Sequence, residues 1–153
     1  MLRIGVISDT HGLLRPEALA QLQGSDYLIH GGDIGNPEIL AQLAAIAPLT
    51  VVRGNNDNAP WAQGIADTAR LDLDEVSIYV LHNLATLDLD PFAAGIQVII
   101  SGHSHCPTKQ FRSGILYLNP GSAGPRRFKL PVSVAEILVD GASVTARIIE
   151  LEL

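Results

Sequence analysis

Leu2-Arg3-Ile4-Gly5-Val6-Ile7-Ser8-Asp9-Thr10-His11-Gly12 is the stretch on which the fold turns. Residues 2–8 are apolar almost throughout, the pattern of a strand covered on both faces rather than one with a wet side. The run stops abruptly at Asp9 and His11. It carries no small-residue cleavage site after its apolar part, so it reads as a first strand and not as a targeting segment, and a cytoplasmic protein is expected.

The same pattern repeats downstream. Residues 16–23 (PEALAQLQ) predict a short helix, with Pro16 in its first turn and Gly24 beyond its last. Residues 27–30 predict a second buried strand, ending at Gly31-Gly32-Asp33. Residues 37–47 predict a second helix, and residues 49–52 a third strand that ends at Gly54-Asn55. Strand, helix, strand, helix, strand with short connections implies right-handed crossovers and a parallel sheet. The second half changes character. Residues 69–73 and 76–82 flank Asp74-Glu75, 108–112 and 115–118 flank Ser113-Gly114, and 132–139 and 142–150 flank Asp140-Gly141, all hairpin signals. Residues 91–94 predict a helical turn and 97–100 another buried strand. Parallel strands followed by hairpins predict two packed sheets with helices outside, a four-layer α/β/β/α sandwich forming one domain over residues 1–153.

Composition limits what such a domain can do. The 153 residues are 47% apolar and 17% charged, with few aromatics, which predicts an aliphatic core. A formal charge of −6 argues against general nucleic-acid binding, because no basic face is available for phosphates. No apolar run is long enough to span a bilayer. Cys106 is the only cysteine, so neither an intrachain disulfide nor a thiolate metal cluster can form. Exposed hairpin edges leave homo-oligomerisation open.

The polar residues then fall into a pattern. Asp9 and His11 follow the first strand, Asp33 the second, and Asn55 with Asp57 the third; His82 ends the strand at 76–82, and His103 and His105 follow the strand at 97–100. In α/β sheets the carboxyl ends of the strands are where ligands bind. Four of the five histidines belong to this set. Imidazole, carboxylate and amide oxygen together suit Mn²⁺, Fe²⁺, Co²⁺, Ni²⁺ or Zn²⁺ better than Ca²⁺ or Mg²⁺. Seven donors are too many for one such ion and suit two divalent ions, with Mn²⁺ the first choice, sharing a carboxylate.

Asp9-x-His11, Gly32-Asp33, Gly54-Asn55-x-Asp57, His82 and Gly102-His103-x-His105, in that order, resemble the signature of the calcineurin-like metallophosphoesterases. The length and the Asn119-Pro120-Gly121-Ser122 segment are similar to the small prokaryotic phosphodiesterases, a subgroup that also includes the non-catalytic retromer scaffold subunit. The resemblance implies that Asp9, His11, Asp33 and His105 hold one ion and Asp33, Asn55, His82 and His103 the other, Asp33 bridging. It implies hydrolysis of a small or nucleotide-type phosphodiester by a metal-held hydroxide, with Asp33 and Asn55 as the residues closest to the chemistry. The chain departs from the larger family members in two places. Asn56 stands where they carry a histidine that protonates the leaving group, and an amide is no general acid at neutral pH. His82-Asn83-Leu84 stands where many carry His-Gly-His.

Asn56, Asn119 and Arg126 are the candidate substrate contacts, Arg126 with Arg127 lying in a Gly/Pro-rich loop where a guanidinium can grip phosphate. Solvated loop charge is an equal alternative reading of the arginines. His30 reads as a buried hydrogen-bonded histidine, Asp57 as a turn or supporting residue, Cys106 as inert packing and Trp61 as a loop anchor. Two other functions fit the same residues: a binding scaffold without turnover, and a metallohydrolase acting on a bond other than a phosphoester.

Overall fold

The computed structural model describes residues 1–153. Its elements, in order, are β1 (Leu2–Ile7), α1 (Pro16–Leu22), β2 (Tyr27–His30), α2 (Pro37–Ala44), β3 (Leu49–Val51), β4 (Thr68–Leu73), β5 (Val76–Leu81), β6 (Val98–Ile100), β7 (Thr108–Arg112), β8 (Ile115–Asn119), β9 (Ser133–Asp140) and β10 (Ser143–Glu150). Short 3₁₀ turns lie at Pro60–Ala62 and Leu84–Thr86. No helix is long and apolar enough to cross a membrane.

Two five-stranded sheets carry the fold, one in the order β10-β9-β1-β2-β3 and the other β4-β5-β6-β8-β7. β1, β2 and β3 are parallel, as the βαβ pattern predicts. The second sheet has its own parallel centre, β5-β6-β8, flanked by the antiparallel edges β4 and β7. That centre is not apparent in a run of hairpin signals, because β6 belongs to no hairpin and β8 pairs on both sides. The closing hairpin goes back to the first sheet, where β9 lies antiparallel to β1 with Ile4 opposite Ile137. Its two-residue turn is Gly141-Ala142, one position beyond the expected Asp140-Gly141, because Asp140 still pairs with Ser143.

Alternation along the strands divides the core. Ile4, Val6, Ile29, Val98, Ile100, Leu116 and Ile137 meet between the sheets. Ile7, Leu28 and Val134 face the helices, against Ala18, Leu22, Ile39 and Leu43. Asn36 starts α2 by accepting a hydrogen bond from the Glu38 backbone N–H at 2.9 Å, with Pro37 in the first turn. α2 ends at Ala44, short of the expected 47, where the chain tightens and the Ile46 N–H reaches the Leu43 carbonyl. The fourth layer is thin. Leu81, Ile96, Ile99 and Ile115 on the outer face of the second sheet are covered by Leu84, Leu87, Leu89 and Ala94 from the segment 84–95, which holds a 3₁₀ turn and a hydrogen-bonded turn at 91–95 and no α-helix.

The arrangement fixes where a site can be. β1, β2 and β3 in one sheet and β5, β6 and β8 in the other end at one edge of the sandwich, where the Gly102 N–H bonds the His82 carbonyl and the Asp9 N–H bonds the Gly32 carbonyl.

Candidate metal centre

Asp9, His11, Asp33, His82, His103 and His105 arrive at this edge from different strands and form two groups of potential ligands. Donor atoms of Asp9, His11 and His105 lie mutually within 4.8 Å, and so do those of Asp33, His82 and His103. The groups share a wall: His11 Nε2 is 3.6 Å from Asp9 Oδ1 and 3.7 Å from Asp33 Oδ2, and His82 Nε2 is 3.2 Å from Asp33 Oδ2 and 3.9 Å from Asp9 Oδ1. Asn55 presents its side-chain oxygen 3.1 Å from His103 Nδ1 at the exposed rim.

The backbone is bent to achieve this. Asp9, His11, Asp33, His103 and His105 all have positive φ, between 47° and 70°. Asp, Asn and His enter this left-handed region more readily than other non-glycine residues, yet such a conformation costs about 1–3 kcal/mol and persists only where surrounding bonds enforce it. Those bonds are present. The His11 N–H donates to the Asp33 carbonyl at 2.9 Å and the Ser122 hydroxyl to the Asp9 carbonyl at 3.0 Å. Asp57, buried, ties the loop after β2 to the loop after β3 by accepting from the N–H groups of Ile34 and Gly54, each at 2.9 Å, and of Gly35 at 3.2 Å. Gly54 is needed for a different reason: a Cβ there would collide with the carboxylate and backbone nitrogen of Asp33.

Hydrogen bonds also set which nitrogen of His82 is free. Its Nδ1 lies 2.7 Å from the Gly31 carbonyl, an acceptor only, so Nδ1 carries the proton and Nε2 turns its lone pair toward the carboxylates. Burial works against charging His82, but Asp33, Asp9 and the Gly31 carbonyl outweigh it and raise its pKa. Contact with Asp9 raises that of His11. Burial opposes ionisation of Asp33, but His82, the Asn56 N–H and His11 hold it at about 2. His105 moves down, through burial and the nearby positive charges of Arg127 and His11.

The donor set has the character of a cation site. Asp9 Oδ1, His82 Nε2 and His105 Nδ1 are buried and have no hydrogen-bond partner. Buried polar atoms are rarely left so, and unpaired buried carboxylate oxygens among imidazole nitrogens are the arrangement a divalent ion satisfies.

The remaining sequence-derived candidates are placed less simply. Asn56 engages Asp33 with both its groups, the backbone N–H at 2.9 Å and the side-chain amide at 3.1 Å. Asn119 is buried and occupied: its amide nitrogen donates to the Gly102 carbonyl and to Ser104 Oγ, and its oxygen accepts from the Gly121 N–H, so it braces the loop carrying His103. Arg126 and Arg127 are both exposed, and of the two Arg127 is the one whose charge reaches His11 and His105. His30 is buried and held neutral, its pKa lowered by burial to about 4. Its Nδ1 accepts from the Gly32 N–H, leaving Nε2 to donate to Thr10, whose hydroxyl donates to the Ile34 carbonyl.

Residues 2–141 match the family described as the calcineurin-like phosphoesterase superfamily domain. The chain belongs to that superfamily. Among its relatives, a probable metallophosphoesterase of Methanothermobacter thermautotrophicus is 33% identical over 95% of this chain and 91% of its own length. The phosphodiesterase YfcE of Escherichia coli is 28% identical over 95% of this chain and 92% of its own. The structure of vacuolar protein sorting 29 from Cryptosporidium parvum has the same fold, with a TM-score of 0.85 over 99% of this chain and 92% of that one at 20% identity. In this member of the superfamily the ligand-type side chains come from segments that lie far apart in sequence. The signals that sequence reading lacked are the backbone bends at the ligand positions and the support given by Ser122.

Proposed function

We propose that this protein is a metal-dependent phosphodiesterase with a dinuclear centre, hydrolysing a small or nucleotide-type phosphodiester. The observation that carries the reading is the shared wall between the two ligand groups, with Asp9 Oδ1 and His82 Nε2 buried and unpartnered on it. Asp9, His11, Asp33 and His105 would hold one divalent ion and Asp33, Asn55, His82 and His103 the other, Mn²⁺ being the first choice among Mn²⁺, Fe²⁺, Co²⁺, Ni²⁺ and Zn²⁺. Held there, two such ions would supply Lewis acidity for phosphoryl oxygens, a more acidic water and positive charge against the charge that develops during in-line displacement.

The protein's own residues do the rest. The Gly31 carbonyl fixes the tautomer of His82, and Asn56 holds both oxygens of Asp33 in one orientation. Arg127, with its positive charge bearing on His11 and His105, draws the anionic substrate toward the mouth, where His103 and Asn55 are exposed. No residue at position 56 can protonate a leaving group, so esters of acidic alcohols and phenols react faster than those of simple alcohols.

Hydrolysis of bis(4-nitrophenyl) phosphate with added Mn²⁺ tests this. Asp33→Ala and His103→Ala abolish it; full activity in either variant sinks the assignment. The scaffold reading is favoured by one observation, the close match in fold to vacuolar protein sorting 29. Metal analysis separates the two: an enzyme loads about two ions per chain, and a scaffold stays substoichiometric and inert with every ion.

A further inference from the structure

Beside the ligand groups, a cleft of about 230 Å³ opens over the second sheet, lined among others by Ser101, His103, Ser104, Thr108, Arg112 and Tyr117. His103 belongs both to this cleft and to the group with Asp33 and His82, so whatever fills the cleft adjoins the phosphoryl position. Leu84 and the Tyr117 ring give it an apolar wall. No carboxylate lines it, although the chain as a whole is strongly acidic.

The far end of the cleft holds a positioned cation. The Arg112 guanidinium lies 4.8 Å from the centre of the Tyr117 ring and donates to Gln110 Oε1 at 3.1 Å. Arg3, Arg53, Arg70 and Arg147 are each matched by a carboxylate, but Arg112 has none. Stacking on an aromatic face holds the guanidinium still while leaving its N–H donors for a planar anion. Arg112 pairs with Ile115 at the start of β8, whereas Asn119 at its end touches the loop of His103, so the cation and His103 stand toward opposite ends of the cleft.

We propose that this cleft binds one ester arm of the substrate, and that the arm carries a second anionic group, carboxylate or phosphate, held by Arg112. The assignment rests on the phosphodiesterase reading for the placement of the phosphoryl group. It makes Arg112 a specificity-determining residue and narrows the substrate class to diesters with a short apolar stem and an anionic end.

The test compares three diesters on the Mn²⁺-loaded protein: butyl, 3-carboxypropyl and 3-phosphonopropyl 4-nitrophenyl phosphate. One or both charged arms raise kcat/KM by about tenfold over butyl, largely through KM, and which of them does so identifies the anion. Arg112→Gln brings that ratio to about one, and Arg112→Lys keeps part of it. A purely structural Arg112 would lower all three together with the ratio intact, and that result overturns the proposal. Calorimetric titration with 3-carboxypropyl, 3-phosphonopropyl and butyl phosphate supplies a readout independent of turnover. Hydrolysis of all three diesters at equal kcat/KM sinks the cleft assignment and leaves the phosphodiesterase standing. Hydrolysis of none, with an Arg112-dependent difference in binding, does the reverse. Equal binding of all three monoesters sinks the cleft assignment whatever the activity.

Discussion

Asp57 ligates nothing in the arrangement described above, yet more of the centre depends on it than on several ligands. Its carboxylate collects the N–H groups of Ile34, Gly35 and Gly54, and those segments carry Asp33 and Asn55. Asp57→Ala leaves three donors without their acceptor, and a loss of about 2–4 kcal/mol is expected in urea unfolding, together with weaker metal retention. His30 and the ligands impose a pH dependence on the metal-free protein. Folded His30 has a pKa of about 4 against 6.5 unfolded, so the unfolded chain binds more protons between those values. Its contribution, about 3 kcal/mol for this fully buried ring, is complete above pH 6.5 and is lost as pH falls toward 4. His11 and His82, with raised pKa values, act oppositely: their contribution is present below 6.5 and is lost as pH rises through the folded values. Urea midpoints of the chelator-treated protein should therefore peak near pH 6.5, and His30→Gln should make the acid side shallower while leaving the alkaline side unchanged, the lowered pKa values of His105 and Asp33 keeping the rest of the acid slope. Metal loading, which keeps His11 and His82 unprotonated, should remove the decline on the alkaline side.

At the scale of elements, the closeness of α1 to the sheet depends on one missing side chain. A Cβ at Gly5 would lie 2.7 Å from Leu22 Cδ2 and 2.7 Å from Leu28 Cδ2. Gly5→Val is therefore expected to displace α1 and cost about 1–3 kcal/mol, read as a lower melting temperature. The strands and helices themselves were legible, because strands covered on both faces write continuous apolar runs and Pro16, Gly24 and Pro37 mark where helices start or stop. What could not be read was partnership. β6 carries the same Val-Ile-Ile whether its neighbours are parallel or antiparallel, and nothing in residues 132–150 says that the hairpin pairs with β1. The meeting of the ligand-type residues was legible for the same reason as the strands, since each follows an apolar run. Their bent backbones and the occupation of Asn119 were not, because both depend on neighbours remote in sequence, such as Ser122 against Asp9.

For the molecule as a whole, cations should act as part of the fold. The loops after β1, β2, β3, β5 and β6 converge on buried atoms that have no partner of their own, in a chain of net charge −6. An ion present at a hundred times its dissociation constant stabilises by about 2.7 kcal/mol per site, so Mn²⁺ should raise the melting temperature by about 5–10 °C for each site filled, and chelation should reverse it. A protein whose melting temperature ignores every divalent ion would contradict the metal assignment at this scale. The pairing of Ile4 with Ile137 has a temporal consequence as well. During synthesis the first strand leaves the ribosome long before its antiparallel neighbour exists, and until then one side of it offers bare peptide groups to any passing chain. The nascent polypeptide thus has to wait for β9 before the strand that delivers Asp9 is flanked on both sides, and products truncated ahead of β9 are expected to aggregate.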